Sequence, residues 1–300
     1  MTSRAWAAFG TVAILWGVPY FFIKVAVGEV SPSVVAWSRL ACCFVLLLPL
    51  ALRRASVRGV WRRWPWVVLL GIEYLALPFV LIPTGETFIS SSLTAIIIAG
   101  VPLTVALLSL PFERPSPLRV VGLAVGLIGV GVLVGLDVGG RPAELIGAGC
   151  IILVTVFYAI GPIVTARRLA GVDPISTTAI ASGIGMLALT PPMLVTRPDH
   201  LPSTGVVGAL LGLGILCTAV ALAAYFFLIA EAGAGRASLV TYINPAIAVL
   251  AGVLLLHERI TLVSVAGMFL ILLGSWLALT ARAMTRPAPA AEVTPAGGAD

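Results

Sequence analysis

Apolar residues run through this chain in stretches close to 20 long, separated by short gaps that hold arginine, proline or glycine. A helical stretch of about 20 apolar residues spans the hydrocarbon core of a bilayer, whereas a buried helix of a soluble domain needs only about 10–14. The stretches are continuous rather than alternating, which excludes the strands of a membrane β-barrel. The pattern predicts ten membrane helices over residues 6–27, 32–52, 64–82, 87–110, 117–136, 144–164, 174–196, 205–229, 237–256 and 262–280. The first is too long for the apolar core of a cleaved signal and is interrupted at its end by Lys24. Residues 283–300 are rich in Pro, Ala and Gly with little to bury, so they read as a disordered tail.

Composition agrees with lipid as the main solvent. Of 300 residues 60% are hydrophobic and 10% charged, with mean hydropathy +1.13, against about 25% charged in a soluble domain. A pI of 9.6 and a net charge of +6 would suit a nucleic-acid binder, but here the arginines sit in the gaps between apolar stretches, as cytoplasmic loops require. With the N-terminus inside, the inner segments hold Arg4, Arg53, Arg54, Arg58, Arg62, Arg63, Arg114, Arg119, Arg167, Arg168, Arg236, Arg282 and Arg286, and the outer loops hold Arg141, Arg197 and Arg259. Thirteen against three places both termini in the cytoplasm of a multi-pass plasma-membrane protein. Cys42, Cys43, Cys150 and Cys217 lie inside apolar stretches without metal-ligand spacing and read as packing residues.

The chain also repeats itself. Glu113-Arg114 and Glu258-Arg259 are 145 residues apart, and the same offset pairs Gly122 with Gly267 and Gly129 with Gly274. Nearer the N-terminus an offset of 142 pairs Trp16 with Tyr158, Pro32 with Pro174 and Pro49 with Pro191. The expected units are 6–136 and 144–280. Five helices per unit force the second copy to enter the membrane from the opposite side, giving inverted repeats of the kind common in secondary transporters.

The ordered set Trp16-Gly17-Val18-Pro19, Lys24, Ser31-Pro32 with Arg39 seven residues on, Asn244-Pro245, Leu256-His257-Glu258-Arg259, Gly267 and Gly274 resembles the EamA-type transporters of the drug/metabolite transporter superfamily, over about residues 8–280. The resemblance implies ten helices in two inverted halves around a central cavity, and movement, often export, of small metabolites such as amino acids or related compounds. Two departures bear on local geometry. Pro102 lies eleven residues before Glu113 while Pro245 lies thirteen before Glu258, and His257 stands where the family usually has Gly.

Three ionisable residues fall inside the stretches: Lys24, Arg39 and Glu73. Charges there are costly and face a partner or a cavity. Lys24 is roughly 5 Å from the outer end of its helix and can snorkel, whereas Arg39 is about 10 Å deep. Glu73 is read either as a structural partner of Arg39 or as a substrate or proton group. Glu113 and Glu258 read as helix-end contacts, and His200 and His257 as solvated loop residues. Pro19, Pro78, Pro83, Pro102, Pro162 and Pro245 free backbone carbonyls, tolerated in lipid only beside protein or a wet cavity. Trp16, Tyr20, Lys24, Arg39, Glu73, Tyr158, Tyr242 and Asn244 are therefore the candidate substrate-binding set, with no catalytic or metal-binding residue and no cofactor. Gly122 with Gly126, Gly131 with Gly135, and Gly208 with Gly212 are spacings for close helix packing, within the chain or between copies in a homo-oligomer. A membrane-embedded lipid-modifying enzyme and a non-transporting receptor or structural bundle are the other classes compatible with the hydrophobic pattern.

Overall fold

Capping chemistry and proline decide where each apolar stretch becomes helix. The computed structural model describes residues 1–53, 57–111, 115–137 and 141–283, and its regular elements are all helical. The tail from 284 onward, Glu113 and Arg114 lie outside the described residues. Ten apolar helices follow in order: α1 Ser3–Ala26, α2 Pro32–Arg53, α3 Trp64–Glu86, α4 Ser91–Leu108, α5 Pro117–Gly135, α6 Pro142–Arg168, α7 Pro174–Val195, α8 Thr204–Ala232, α9 Val240–Leu256 and α10 Leu262–Thr280. All but α9, at 17 residues, are long enough by themselves to cross a bilayer. Thr2, Ser90, Ser116, Asp173 and Ser203 each accept a backbone N–H from the first turn of the helix they precede, satisfying donors that lipid cannot. The cap at Ser90 moves one boundary: α3 runs on to Glu86 and α4 starts at Ser91, where the hydrophobic pattern divides them at 82 and 87.

Prolines shape the helices where the sequence suggests. α1 is interrupted at Val18, before Pro19, and α4 at Ala99–Gly100, before Pro102. In α3 the turn Leu70–Ala76 widens to π geometry just ahead of Pro78, whose ring would clash with the carbonyl four residues back. α8 has a π segment at Gly212–Val220, where the Thr218 hydroxyl donates to the Leu213 carbonyl at 2.9 Å, a side chain inserted into the main-chain ladder.

The two halves pack by one rule. α1 lies on α8 and α9, as α6 lies on α3 and α4; α2 lies on α8, as α7 lies on α3. Exchanging each helix with the one five places on leaves this pairing unchanged. The remaining large contacts join counterparts, α2 with α7 and α5 with α10. Along α2 and α7, Trp37 Nε1 donates to Thr190 Oγ1, Leu40 meets Gly185 and the Ser182 hydroxyl donates to Cys43 Sγ, so rising numbers on one helix meet falling numbers on the other. On α5 and α10, Gly122 faces Gly274 and Gly129 faces Gly267. A two-fold axis relating two copies produces this reciprocity, and counterpart helices run antiparallel, as inverted repeats require.

Contacts between loops define two ends of the bundle. Thr2 bonds Glu231 and Arg63 bonds the Arg168 carbonyl at the N-terminal end. Ser31 bonds Thr196 and Glu29 bonds Ser203 at the opposite end. The glycine spacing at Gly122 and Gly126 is used inside the chain, against α10 and Leu103, while Gly131 and Gly135 face open space.

Candidate functional site

Four of the prolines expected to free backbone carbonyls line one cavity of about 440 Å³ between the halves, Pro19 and Pro102 at helix interruptions and Pro162 and Pro245 inside unbroken helices. Its walls are aromatic: Trp16 and Tyr20 from α1, Tyr74 and Phe79 from α3, Tyr158 from α6, Tyr225 from α8 and Tyr242 from α9. Trp16 stacks on Tyr225 with ring centroids 4.7 Å apart, and Tyr74 meets Tyr158 edge-on at 5.5 Å. Gly161 leaves room for the Tyr74 ring, where a Cβ would come within 2.6 Å of its Cγ. Asn244 lies at the wall, and its Oδ1 has no hydrogen-bond partner among the described residues.

Among the described lining residues, Arg39 is the single charge. Its Nε donates to Thr218 Oγ1 at 2.9 Å, and its guanidinium carbon lies 3.9 Å from the Phe79 ring centroid. The Thr218 hydroxyl, committed as a donor to Leu213, presents its lone pair to Arg39, so the π segment of α8 sets the position of the cation. One edge of the fork is thus fixed and the ring stacks on its face, leaving the Nη groups for a ligand.

The pairing of Arg39 with Glu73 expected from their depths does not form. Arg39 packs toward α8, where a Cβ on Gly214 would stand 3.7 Å from the Arg39 Cα, and it meets α3 at Phe79. Glu73 is six residues earlier on that helix, about 9 Å back along the axis. Its carboxylate lies outside the cavity lining, with no hydrogen-bond partner for either oxygen among the described residues. Lys24 is also outside the lining and does not snorkel: its Nζ donates to the main-chain oxygens of Glu86, at 2.5 Å, and Ile89, at 2.8 Å, closing the C-terminal end of α3 as a cation there should. Of the eight candidates, Trp16, Tyr20, Arg39, Tyr158, Tyr242 and Asn244 line the cavity. Sequence reasoning missed Tyr74, Phe79, Thr218 and Tyr225. Thr218, a hydroxyl within a long apolar stretch, carried the available signal.

Glu258 is a helix-end contact, as expected, though with a helix from the other half. Its carboxylate accepts Ser91 N–H at 2.8 Å, Ser92 N–H at 3.0 Å and the Ser92 hydroxyl at 2.5 Å, capping the positive end of α4. His257 just before it is left-handed, with φ 55 and ψ 31, which explains why a glycine suits this position. Burial raises the Glu258 carboxyl, and the hydrogen bonds from Ser92 and Ser91 outweigh it, leaving the group below its ordinary value. The folded-state value is then lower than that of the unfolded chain, so the stabilisation is complete at neutral pH and is lost as pH falls through the depressed value. Thermal melts of the detergent-purified protein should show an acid-side loss of stability. Glu258→Gln should lower stability at neutral pH by about 1 kcal/mol, the carboxylate being half exposed, and flatten the acid limb. An unchanged acid limb would contradict this role.

The sequence profile of the EamA-like transporter family matches residues 5–135 and 145–280. An uncharacterized transporter of Archaeoglobus fulgidus is 29% identical over 287 residues, covering 93% of this chain and all of the relative. The uncharacterized inner membrane transporter YedA of Escherichia coli K12 is 28% identical, covering 80% of this chain and 78% of its own length. Protein PagO of Salmonella typhimurium is likewise 28% identical, covering 80% and 81%. A protein of known crystal structure, 20% identical, aligns with a TM-score of 0.64 over 95% of this chain and 100% of its own, a likeness of fold.

Proposed function

Because this chain belongs to the EamA-like transporter family, a family of membrane transporters, we propose that it exports small amphipathic metabolites carrying a carboxylate, amino acids or related compounds, by alternating access between its inverted halves. The observation that carries this reading is Arg39, the one charge among the described lining residues, with one edge anchored, in a mainly aromatic and apolar cavity of about 440 Å³. That volume lies in the range of small-molecule sites, about 300–1,000 Å³. A carboxylate accepts two parallel bonds from an arginine fork, and the ring faces take an apolar body.

The arginine bias puts both termini in the cytoplasm. In that orientation the cavity leads inward, since its lining reaches Thr178 and Thr241, near the starts of α7 and α9 at the N-terminal end. Toward the outer end the lining stops at Ile23 and Ile82, short of the Lys24 and Glu258 contacts. The conformation is then inward-facing, loaded from the cytoplasm. The sequence carries no nucleotide-binding loop, so the energy comes from a gradient or from the substrate's own concentration difference.

Counterflow in liposomes tests the reading. Vesicles holding the purified protein and a panel of unlabelled amino acids should accumulate the matching labelled compound for at least one member. Its decarboxylated amine should compete far more weakly. Absence of exchange across the panel would overturn the reading.

A further inference from the structure

Beyond the closed end of the cavity lies a carboxylate that the substrate path does not use. Glu86 ends α3 with its side chain fully buried, and neither of its oxygens has a hydrogen-bond partner among the described residues. The nearest charged groups make no hydrogen bond to its carboxylate. From α1, the Lys24 ammonium holds the main-chain oxygens of Glu86 and Ile89, and Tyr20 stands within electrostatic reach on the cavity side. From the turn after α9 comes Glu258, a like charge saturated by the Ser91 and Ser92 donors of α4. α6 brings Gly147 and Ile151 against the neighbouring Gly85, and α2 brings Val35 into the same apolar cluster as Ile82, so neither adds charge.

An ionised carboxylate in this setting has neither water nor a hydrogen-bond donor among the described residues, and the nearby Lys24 charge is set against that of Glu258, so the ion is heavily penalised and the neutral acid far less. We propose that Glu86 is a proton-binding site in the outer gate, which takes a proton from the outer solution as the gate closes and returns it there as the gate opens. The bond made and broken is the carboxyl O–H, and water outside the membrane is donor and acceptor. Lys24 and Glu258 hold α3 and α4 shut around the neutral acid; opening separates them, admits water and lets the carboxylate form. The proton returns to the side it came from, so the site controls the gate by outer pH without driving the cycle. This inference rests on the transport reading and orientation given above.

Two measurements on the full-length protein test it. Infrared difference titration of wild type in lipid should reveal a protonated carboxyl stretch that persists through neutral pH, vanishes in Glu86→Gln and survives in Glu73→Gln. Absence of that band, or its survival in Glu86→Gln, overturns the proposal. Counterflow of the amino acid found by the panel, in liposomes of one orientation, should then accelerate as outer pH rises, with a slope of up to about tenfold per pH unit for one proton. Glu86→Gln, which mimics the neutral acid, should exchange slowly and without pH dependence. Dependence on inner pH alone, or outer-pH dependence that survives in Glu86→Gln, overturns the gate role. Wild type that exchanges nothing at any pH sinks the transport reading instead, while the infrared band still decides whether Glu86 holds a proton.

Discussion

Arg39→Gln is expected to abolish exchange of carboxylate substrates while leaving folded yield near that of wild type. Among the described residues the guanidinium makes one hydrogen bond, to Thr218, and one ring contact, to Phe79. A glutamine amide can replace the first, and the second is worth about 1–2 kcal/mol, so the fold should survive. The ligand loses more. Each hydrogen bond between charged partners is worth about 1.5–3 kcal/mol, and with none of the other described lining residues charged, nothing replaces them. A loss of about 3 kcal/mol is roughly 100-fold in affinity. Arg39→Lys keeps the charge and removes the fork that binds Thr218 and ligand together, so it should retain a small fraction of activity. Counterflow rates, normalised to protein recovered as a single chromatographic peak, check both variants. Wild-type exchange by Arg39→Gln would remove the carboxylate from the substrate description.

How far the sequence carries can be seen residue by residue. Helix number and order follow from the length of apolar runs because bilayer thickness leaves little choice. The aromatic wall was also within reach, since Trp16, Tyr20, Tyr158 and Tyr242 lie near Pro19, Pro162 and Pro245, and a carbonyl freed by proline needs polar or wet surroundings. What escaped is what depends on register between distant helices. Arg39 finds Thr218, 179 residues away, because a π segment turns that hydroxyl toward α2, and no local pattern announces such a segment. The same limit produced the expected Arg39–Glu73 pair: depth in the membrane was legible, direction around the helix was not. Glu86 drew no notice because a charge at the end of an apolar stretch normally reaches water. Here Ser90 starts α4 immediately beyond it and Glu258 of the other half docks on that start, so the stretch end is roofed over. His257 shows the converse. A departure from the family pattern proved to mark a left-handed residue that only the backbone reveals.

Gly274→Val is expected to collapse the yield of folded protein. A Cβ at Gly274 would stand 2.6 Å from both the Gly122 carbonyl oxygen and the Gly126 Cα, closer than real Cβ contacts come. These obstacles are main chain, so no rotamer change relieves them, and α5 and α10 must separate along their whole contact. Inserting one methyl into a packed interior already costs about 1–3 kcal/mol. A branched side chain at a backbone crossing should exceed that, because in lipid close packing between helices has no hydrophobic effect to replace it. Gly122→Val should be equally damaging, its Cβ lying 2.8 Å from the Gly274 carbonyl oxygen and 2.6 Å from the Ala278 nitrogen. Combining the two cannot restore the fit, since each adds bulk to the same gap. Gly131→Val, where nothing lies within 4 Å, is the control that carries the cost of valine in a helix without the clash. Fluorescence-detected size exclusion after detergent extraction, followed by a thermal melt of the monodisperse peak, separates the three. The approach of Gly122 to Gly274 and of Gly129 to Gly267 is what sets α5 antiparallel on α10. A Gly274→Val protein that extracts and melts like the parent would therefore contradict the close α5–α10 packing, one of the contacts that join the two halves.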